Sequence, residues 1–149
     1  MKKLLSLVLA SFIAVTMSSA IHAASHAGDG FEPKHKVVIQ VSTKDPLTQK
    51  IAVNNAVNVQ KHYGIDNVAV EIVAYGPGLG LLTPKSNQAK RVASLAQQNI
   101  TFSACNNTMK KIEKKKGKKP KLIQGVQVVP AGVARIMDLQ EKGYSYVRP

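Results

Sequence analysis

The sequence predicts an α/β domain with a mainly parallel sheet of about five strands between two helix layers. Two patterns point there. Short β-branched runs alternate along residues 37–149 with stretches whose apolar residues recur at spacings of three and four. Alternation of this kind requires parallel strands joined by right-handed crossovers, and a parallel sheet has to be covered on both faces.

Val37-Val38-Ile39-Gln40-Val41 is the first buried strand, and Asp45-Pro46 then supplies a helix cap and a first-turn proline. Leu47, Ile51, Ala52, Ala56, Val59 and Tyr63 mark the face of the helix that follows, and Gly64 stands where a terminating residue is wanted. Residues 68–74 form a second strand, Tyr75-Gly76-Pro77-Gly78-Leu79-Gly80 a tight loop, and residues 84–98 a helix with Ala89, Val92, Ala93 and Ala96 on one face and Asn99 at its end. Ile100-Thr101-Phe102-Ser103-Ala104 is the third strand. It leads into Cys105-Asn106-Asn107-Thr108 and a helix that runs through Met109 and Ile112 into lysines. Residues 125–129 give a fourth strand. Pro130-Ala131-Gly132 turns into a helix with Val133, Ile136, Met137 and Leu139, Gly143 stops it, and residues 144–147 form an edge strand. The whole is a flavodoxin-like three-layer α/β/α arrangement. In such sheets the loops after the strands gather at the carboxyl edge, where ligands bind. The glycine loop, the cysteine turn and the Pro130-Ala131-Gly132 turn all fall there.

Ahead of the domain, Lys2 and Lys3 precede an apolar run from Leu4 to Val15 and then small residues at Ser18, Ser19, Ala20, Ala23 and Ala24. That order is a secretory signal peptide, residues 1–23, with cleavage after Ala20 or Ala24 close competitors and an uncleaved anchor the other reading. Residues 24–36 mix Gly, Asp, His, Pro and Lys with little apolar periodicity and suggest a mobile leader. The expected destination is the periplasm, or the cell exterior where there is no outer membrane. Cleavage removes two lysines and no acid, so the formal charge falls from +13 to +11. Such a chain favours anionic surfaces. The 126 of 149 residues that remain suit one domain without disulfide staples.

With one cysteine in the chain no intrachain bridge is open to it, so Cys105 is buried, paired with another chain, or kept for chemistry. Between a strand end and a helix start, unpaired N–H groups and the helix dipole favour the thiolate, and Lys110 and Lys111 push the same way. The bland counterpart is a small buried hydrophobe. Cys105 is therefore the candidate catalytic residue. Tyr75, Gly76, Gly78, Asn106, Asn107, Thr108 and Gly132 are the candidate ligand-binding residues, because they occupy the three segments gathered at its edge. The glycine loop lacks the spacing of the dinucleotide fingerprint and of the phosphate-binding loop, so it reads as site architecture with Tyr75 as a wall.

Lys110, Lys111, Lys114, Lys115, Lys116, Lys118, Lys119 and Lys121 form a basic tract broken by Glu113, Gly117 and Pro120. Most such runs are solvated faces. A partner here would be an anionic surface, a polyanion or an acidic protein; nucleic acid is disfavoured because no aromatics interleave the lysines for stacking. His26, His35 and His62 lie apart in the chain, so the sequence predicts no metal and implies no cofactor. A Gly-x-Ser-x-Gly elbow is missing, and Asp138 and Glu141 have no carboxylate partner at a telling spacing, which leaves hydrolase readings without their parts.

Four blocks in order, Ala74-Tyr75-Gly76-Pro77-Gly78-Leu79, Phe102-Ser103-Ala104-Cys105-Asn106-Asn107-Thr108, Val129-Pro130-Ala131-Gly132-Val133 and Leu139-Gln140-Glu141-Lys142-Gly143-Tyr144, together resemble the DsrE/DsrF-like family over residues 37–149. The resemblance implies a flavodoxin-like fold that assembles into homo-oligomers. In the sulfur-relay branch it implies a cysteine in this turn that carries persulfide sulfur between donor and acceptor proteins, and Cys105 matches that cysteine by position. The export signal and the lysine tract depart from that branch and argue against a cytoplasmic partner or a role in transfer RNA modification. Two readings follow: Cys105 handles sulfur, as a persulfide carrier or a reactive thiol, or the chain is a non-catalytic oligomeric module for an anionic ligand or acidic partner. The two readings divide on whether the protein is an enzyme.

Overall fold

The computed structural model describes residues 32–149; the expected signal peptide and most of the expected leader lie outside the described residues. Strands β1 (His35–Val41), β2 (Val68–Ala74), β3 (Ile100–Cys105), β4 (Gln127–Val129) and β5 (Ser145–Val147) make one sheet in the order β4-β3-β2-β1-β5. Every pairing is parallel. Between the strands run α1 (Pro46–Tyr63), a 3-10 helix (Gly76–Leu82), α2 (Ala89–Leu95), α3 (Asn106–Lys116) and α4 (Gly132–Glu141).

Local chemistry explains the boundaries. Asp45 caps α1, its Oδ2 accepting from the Thr48 N–H and from Thr48 Oγ1, each at 2.7 Å. Gly64, at φ 89°, closes the same helix by donating to the Gln60 carbonyl at 2.9 Å. β1 begins two residues before the apolar run, because the His35 N–H already donates to the Asn67 carbonyl at 3.0 Å.

Two elements depart from the pattern read in the sequence. The glycine segment is not an open loop but a 3-10 helix that buries Leu79, Leu81 and Leu82. The helix expected over residues 84–98 is reduced to α2, since the preceding stretch is spent on turns: Ser86 N–H bonds Thr83 O, Ala89 N–H bonds Ser86 O, and Ser86 Oγ accepts from the Gln88 N–H. Ser and Asn compete with the helical backbone in this way. Asn99, at φ 59°, takes the left-handed conformation that leads into β3.

One sheet face carries the larger core, where Ile39, Ile72 and Phe102 pack against Val53 and Ala56 of α1, Leu81 of the 3-10 helix and Val92 of α2. Burial of each large aliphatic or aromatic chain there contributes roughly 1.5–3 kcal/mol. The other face holds a smaller cluster, Val38 and Val73 against Ile136 and Leu139 of α4, flanked by Tyr75 and Tyr144.

The topology accounts for this imbalance. Connections from β1 through β4 step in one direction and lay their helices on one face, whereas the connection from β4 returns across the sheet to β5 beyond β1. Right-handed crossover then forces α4 onto the opposite face. Chains leaving the adjacent strands β3 and β4 therefore diverge to opposite faces, which opens a crevice at their carboxyl ends, the position where open α/β sheets bind ligands.

Candidate functional site

Cys105 stands at that crevice. It is the last residue of β3 and the residue before α3, with extended backbone (φ −71°, ψ 116°), a free thiol and 5% exposure. Burial pushes the thiol pKa up. A hydrogen bond from the Thr108 side chain and the backbone N–H groups of Thr108, Gly132 and Asn107 outweigh burial, and the pKa is lowered from the ordinary thiol value. These donors come from two helices: Asn107 and Thr108 open α3, and Gly132 opens α4.

Other residues marked in the sequence assemble around the thiol. Thr108 Oγ1 accepts from the Gly76 N–H at 2.9 Å, which leaves its own proton to point to the sulfur. The Asn107 N–H donates to the Pro130 carbonyl at 3.3 Å and ties the start of α3 to the turn after β4. Gly132 is pressed against Tyr75; a Cβ on it would lie 3.0 Å from the tyrosine Cβ and Cδ1. Asn106 is half-buried and Asn107 exposed at the same edge.

Gly78 serves a different purpose. A Cβ there would stand 2.1 Å from the Val41 carbonyl oxygen, and its N–H donates to the Tyr75 carbonyl at 3.0 Å. The glycine segment is thus packed on the end of β1, and the N–H groups of both Gly76 and Gly78 are engaged within the chain. A cleft of about 250 Å³ on this edge is lined by Lys44, Gln49, Pro77, Gly80 and Lys85 among others, and Cys105 is not part of it. His35 and His62 meet at Tyr63, with ring centroids 3.8 and 4.7 Å away, where β1 begins and α1 ends. Among the described residues no group of three His, Cys, Asp or Glu side chains is placed to hold a metal.

A polar network behind the cysteine escaped the sequence reading. Glu71 on β2 is buried and receives Arg135 of α4 in two bonds, Nε to Oε1 at 2.9 Å and Nη2 to Oε2 at 2.7 Å. Ser103 Oγ donates to Glu71 Oε1 at 2.5 Å, and Gln127 Nε2 donates to Ser103 Oγ at 2.8 Å. Ser103 lies two residues before Cys105, on the face that α4 covers, so the bidentate pair pins α4 beside the strand that carries the thiol. A carboxylate inside the β-branched run of residues 68–74 was the available signal, but its partner is 64 residues away, beyond any spacing rule.

Fold and site together define a parallel α/β protein that holds one thiol at a strand-to-helix junction among backbone donors. The chain belongs to the DsrE/DsrF-like family, whose model matches residues 10–149. Membership points to a function related to sulfur transfer in general. The chain is also similar to the solved structure of MTH1491, a protein of unknown function from Methanobacterium thermoautotrophicum, with 30% identity and a TM-score of 0.69 over 77% of this chain and 99% of that one. None of the curated proteins compared with the chain matches it.

Proposed function

We propose that this protein is an exported sulfur carrier whose Cys105 accepts sulfane sulfur as a persulfide and passes it to an acceptor thiol. The observation that carries the reading is the set of hydrogen-bond donors converging on Cys105 from Thr108, Gly132 and Asn107, which favours the thiolate, the nucleophilic form, despite burial. In the loading step the Cys105 thiolate attacks the outer sulfur of a donor persulfide. A new S–S bond forms on Cys105, the donor's S–S bond breaks, and the donor leaves as a thiolate. Unloading repeats the exchange with the acceptor thiolate attacking the outer sulfur, and Cys105 is returned as the thiolate. No external oxidant is consumed. Persulfidation also suits a thiol with little exposure, since an S–S bond of about 2.05 Å carries the outer sulfur beyond the buried one.

The signal-like segment of residues 1–23 supports export, and the proposed compartment for this chemistry is the periplasm, where the partners would be proteins bearing persulfides and thiols. Homo-oligomer formation is part of the proposal. Val133 and Met137, one turn apart on α4, are 54% and 56% exposed and give the second sheet face an apolar strip that a second copy can cover.

One observation favours a different reading. With 5% exposure, Cys105 fits equally a packed residue in a non-catalytic binding module, whose anionic ligand or acidic partner would sit on the lysines or the carboxyl edge. Intact mass spectrometry of the mature protein before and after a persulfide donor, then after reductant, separates the two. A reducible gain of one sulfur atom, absent in Cys105→Ser, is the expected result. An unmodified thiol gives the site to the binding module.

A further inference from the structure

The lysine tract turns out to be a built surface rather than a loose tail. Its helical part, α3, is fixed at one end by Met109, which is buried in the main core, and closed at the other by Gly117, at φ 71°, whose N–H donates to the Glu113 carbonyl at 2.8 Å. The chain after it is anchored again by buried Ile123, whose N–H donates to the Leu82 carbonyl at 3.0 Å. Between these anchors all eight lysines from Lys110 to Lys121 are exposed, with Glu113 the one acid among them. The ion pairs found among the described residues, Glu32 with Lys36 and Glu71 with Arg135, include none of them. Lys110 faces Lys114, and Lys111 faces Lys115, one turn on, an arrangement that opposes the helix. The helix dipole compensates only lysines of the last turn, Lys114, Lys115 and Lys116. A fixed cationic ridge with one acid against eight lysines is what an external anion relieves.

We propose that this flank docks an acidic protein that exchanges sulfur with Cys105, an inference that rests on the carrier reading. Three features select that occupant. α3 starts at the residue after Cys105, so the ridge extends from the thiol down the side of the molecule for about 16 Å, the length of 11 helical residues. A partner that pairs with the ridge and reaches the thiol has to be a macromolecule. The apolar residues of α3, Met109 and Ile112, both pack into the core, so the helix has no outward apolar stripe to lie in a bilayer, and a flat lipid surface brings no thiol to the crevice. No aromatic side chain accompanies the lysines to stack a base. An acidic protein surface presenting a persulfide or thiol meets all three conditions, and opposite charge would speed its encounter.

The probe is a pair of synthetic peptides, one of consecutive glutamates and one of glutamines, each ending in a cysteine persulfide, used on the mature protein. At low salt the glutamate peptide is expected to load Cys105 about ten-fold faster than the glutamine peptide. The advantage is expected to vanish in about 0.5 M salt and in a variant combining Lys114→Gln, Lys115→Gln, Lys116→Gln and Lys118→Gln, whose rate with the glutamine peptide stays that of the parent. Equal rates for the two peptides on the parent protein overturn the inference. Should neither peptide load Cys105, the carrier reading fails by itself, and docking is then decided by fluorescence anisotropy of a thiol-free glutamate peptide on Cys105→Ser. Lysine-dependent binding there upholds the acidic-partner surface. Absence of binding refutes it, as does binding only to phosphatidylglycerol vesicles.

Discussion

At Cys105, the chemistry is decided by a few donors working against burial, and Thr108 is the donor whose removal tests the balance. Its hydroxyl accepts from the Gly76 N–H, which aims the proton it has left at the sulfur. Thr108→Val deletes that proton and strands the Gly76 N–H; the thiol pKa should rise, and alkylation of Cys105 by a small reagent near neutral pH should slow several-fold, about ten-fold for each unit gained. Thr108→Ser keeps the hydroxyl and should restore most of the rate. A valine variant with an unshifted rate–pH profile removes Thr108 from the site. The lowered pKa also has a stability consequence with a definite sign. Unfolded chains hold the thiol proton up to about pH 8.5, whereas the folded chain releases it earlier, so between the folded value and about 8.5 the unfolded state binds more protons and stability rises with pH. This contribution is complete above about 8.5 and is lost as pH falls through the folded pKa. In reductant, the denaturation midpoint of the parent relative to Cys105→Ser should climb from about pH 7 to about pH 9. A flat difference would mean that the thiol is no more acidic folded than unfolded.

The elements place those donors, and α4 depends most on side-chain pairing because it covers its sheet face with a small cluster. Arg135→Met leaves the buried Glu71 carboxylate without its bidentate partner. Since Arg135 is 28% exposed, the expected cost lies at the lower end for breaking such a pair, about 3 kcal/mol by chemical denaturation, and Glu71→Leu in the same chain should recover much of it. A single-variant loss below about 0.5 kcal/mol would show that α4 is held by Ile136 and Leu139 instead. Gly78→Ala acts where the end of β1 meets the 3-10 helix: backbone lies 2.1 Å from the new Cβ and cannot rotate away, so a destabilisation of about 3 kcal/mol or a shift of the whole 3-10 helix is expected. Elements were legible where one residue type has one local job. Asp45, Pro46 and Gly64 bracket α1 as their chemistry requires. The 3-10 helix was illegible because glycines and proline signal a bend without saying that Leu79, Leu81 and Leu82 will be drawn into the core. Cys105 was readable from its place between an apolar strand and a helix start, whereas Glu71 and Arg135 meet only through the fold, by a contact between β2 and α4.

Across the whole molecule, alternation of strand and helix announced the parallel sheet but not its order, because each crossover can move to either side of the strand it leaves. The order β4-β3-β2-β1-β5 decides two things at once. It puts Cys105 at the point where the chain diverges from β3 and β4 to opposite faces, and it assigns α4 to the second face with Val133 and Met137 turned outward. Apolar side chains of that size exposed one turn apart favour burial against another copy, and a two-fold arrangement would set Met137 of each copy in one shared patch. The protein is therefore expected to sediment as an oligomer, and Met137→Glu, which places a charge in that patch, should shift it toward the monomer while leaving the far-ultraviolet circular dichroism unchanged. Salt discriminates the cause: association through the α4 strip should persist in high salt, where attraction through the basic flank is screened. A parent protein that sediments as a monomer at micromolar concentration, or a Met137→Glu variant that stays assembled, would take the second sheet face out of the assembly and leave Val133 and Met137 as ordinary solvated residues of a helix that needs no partner.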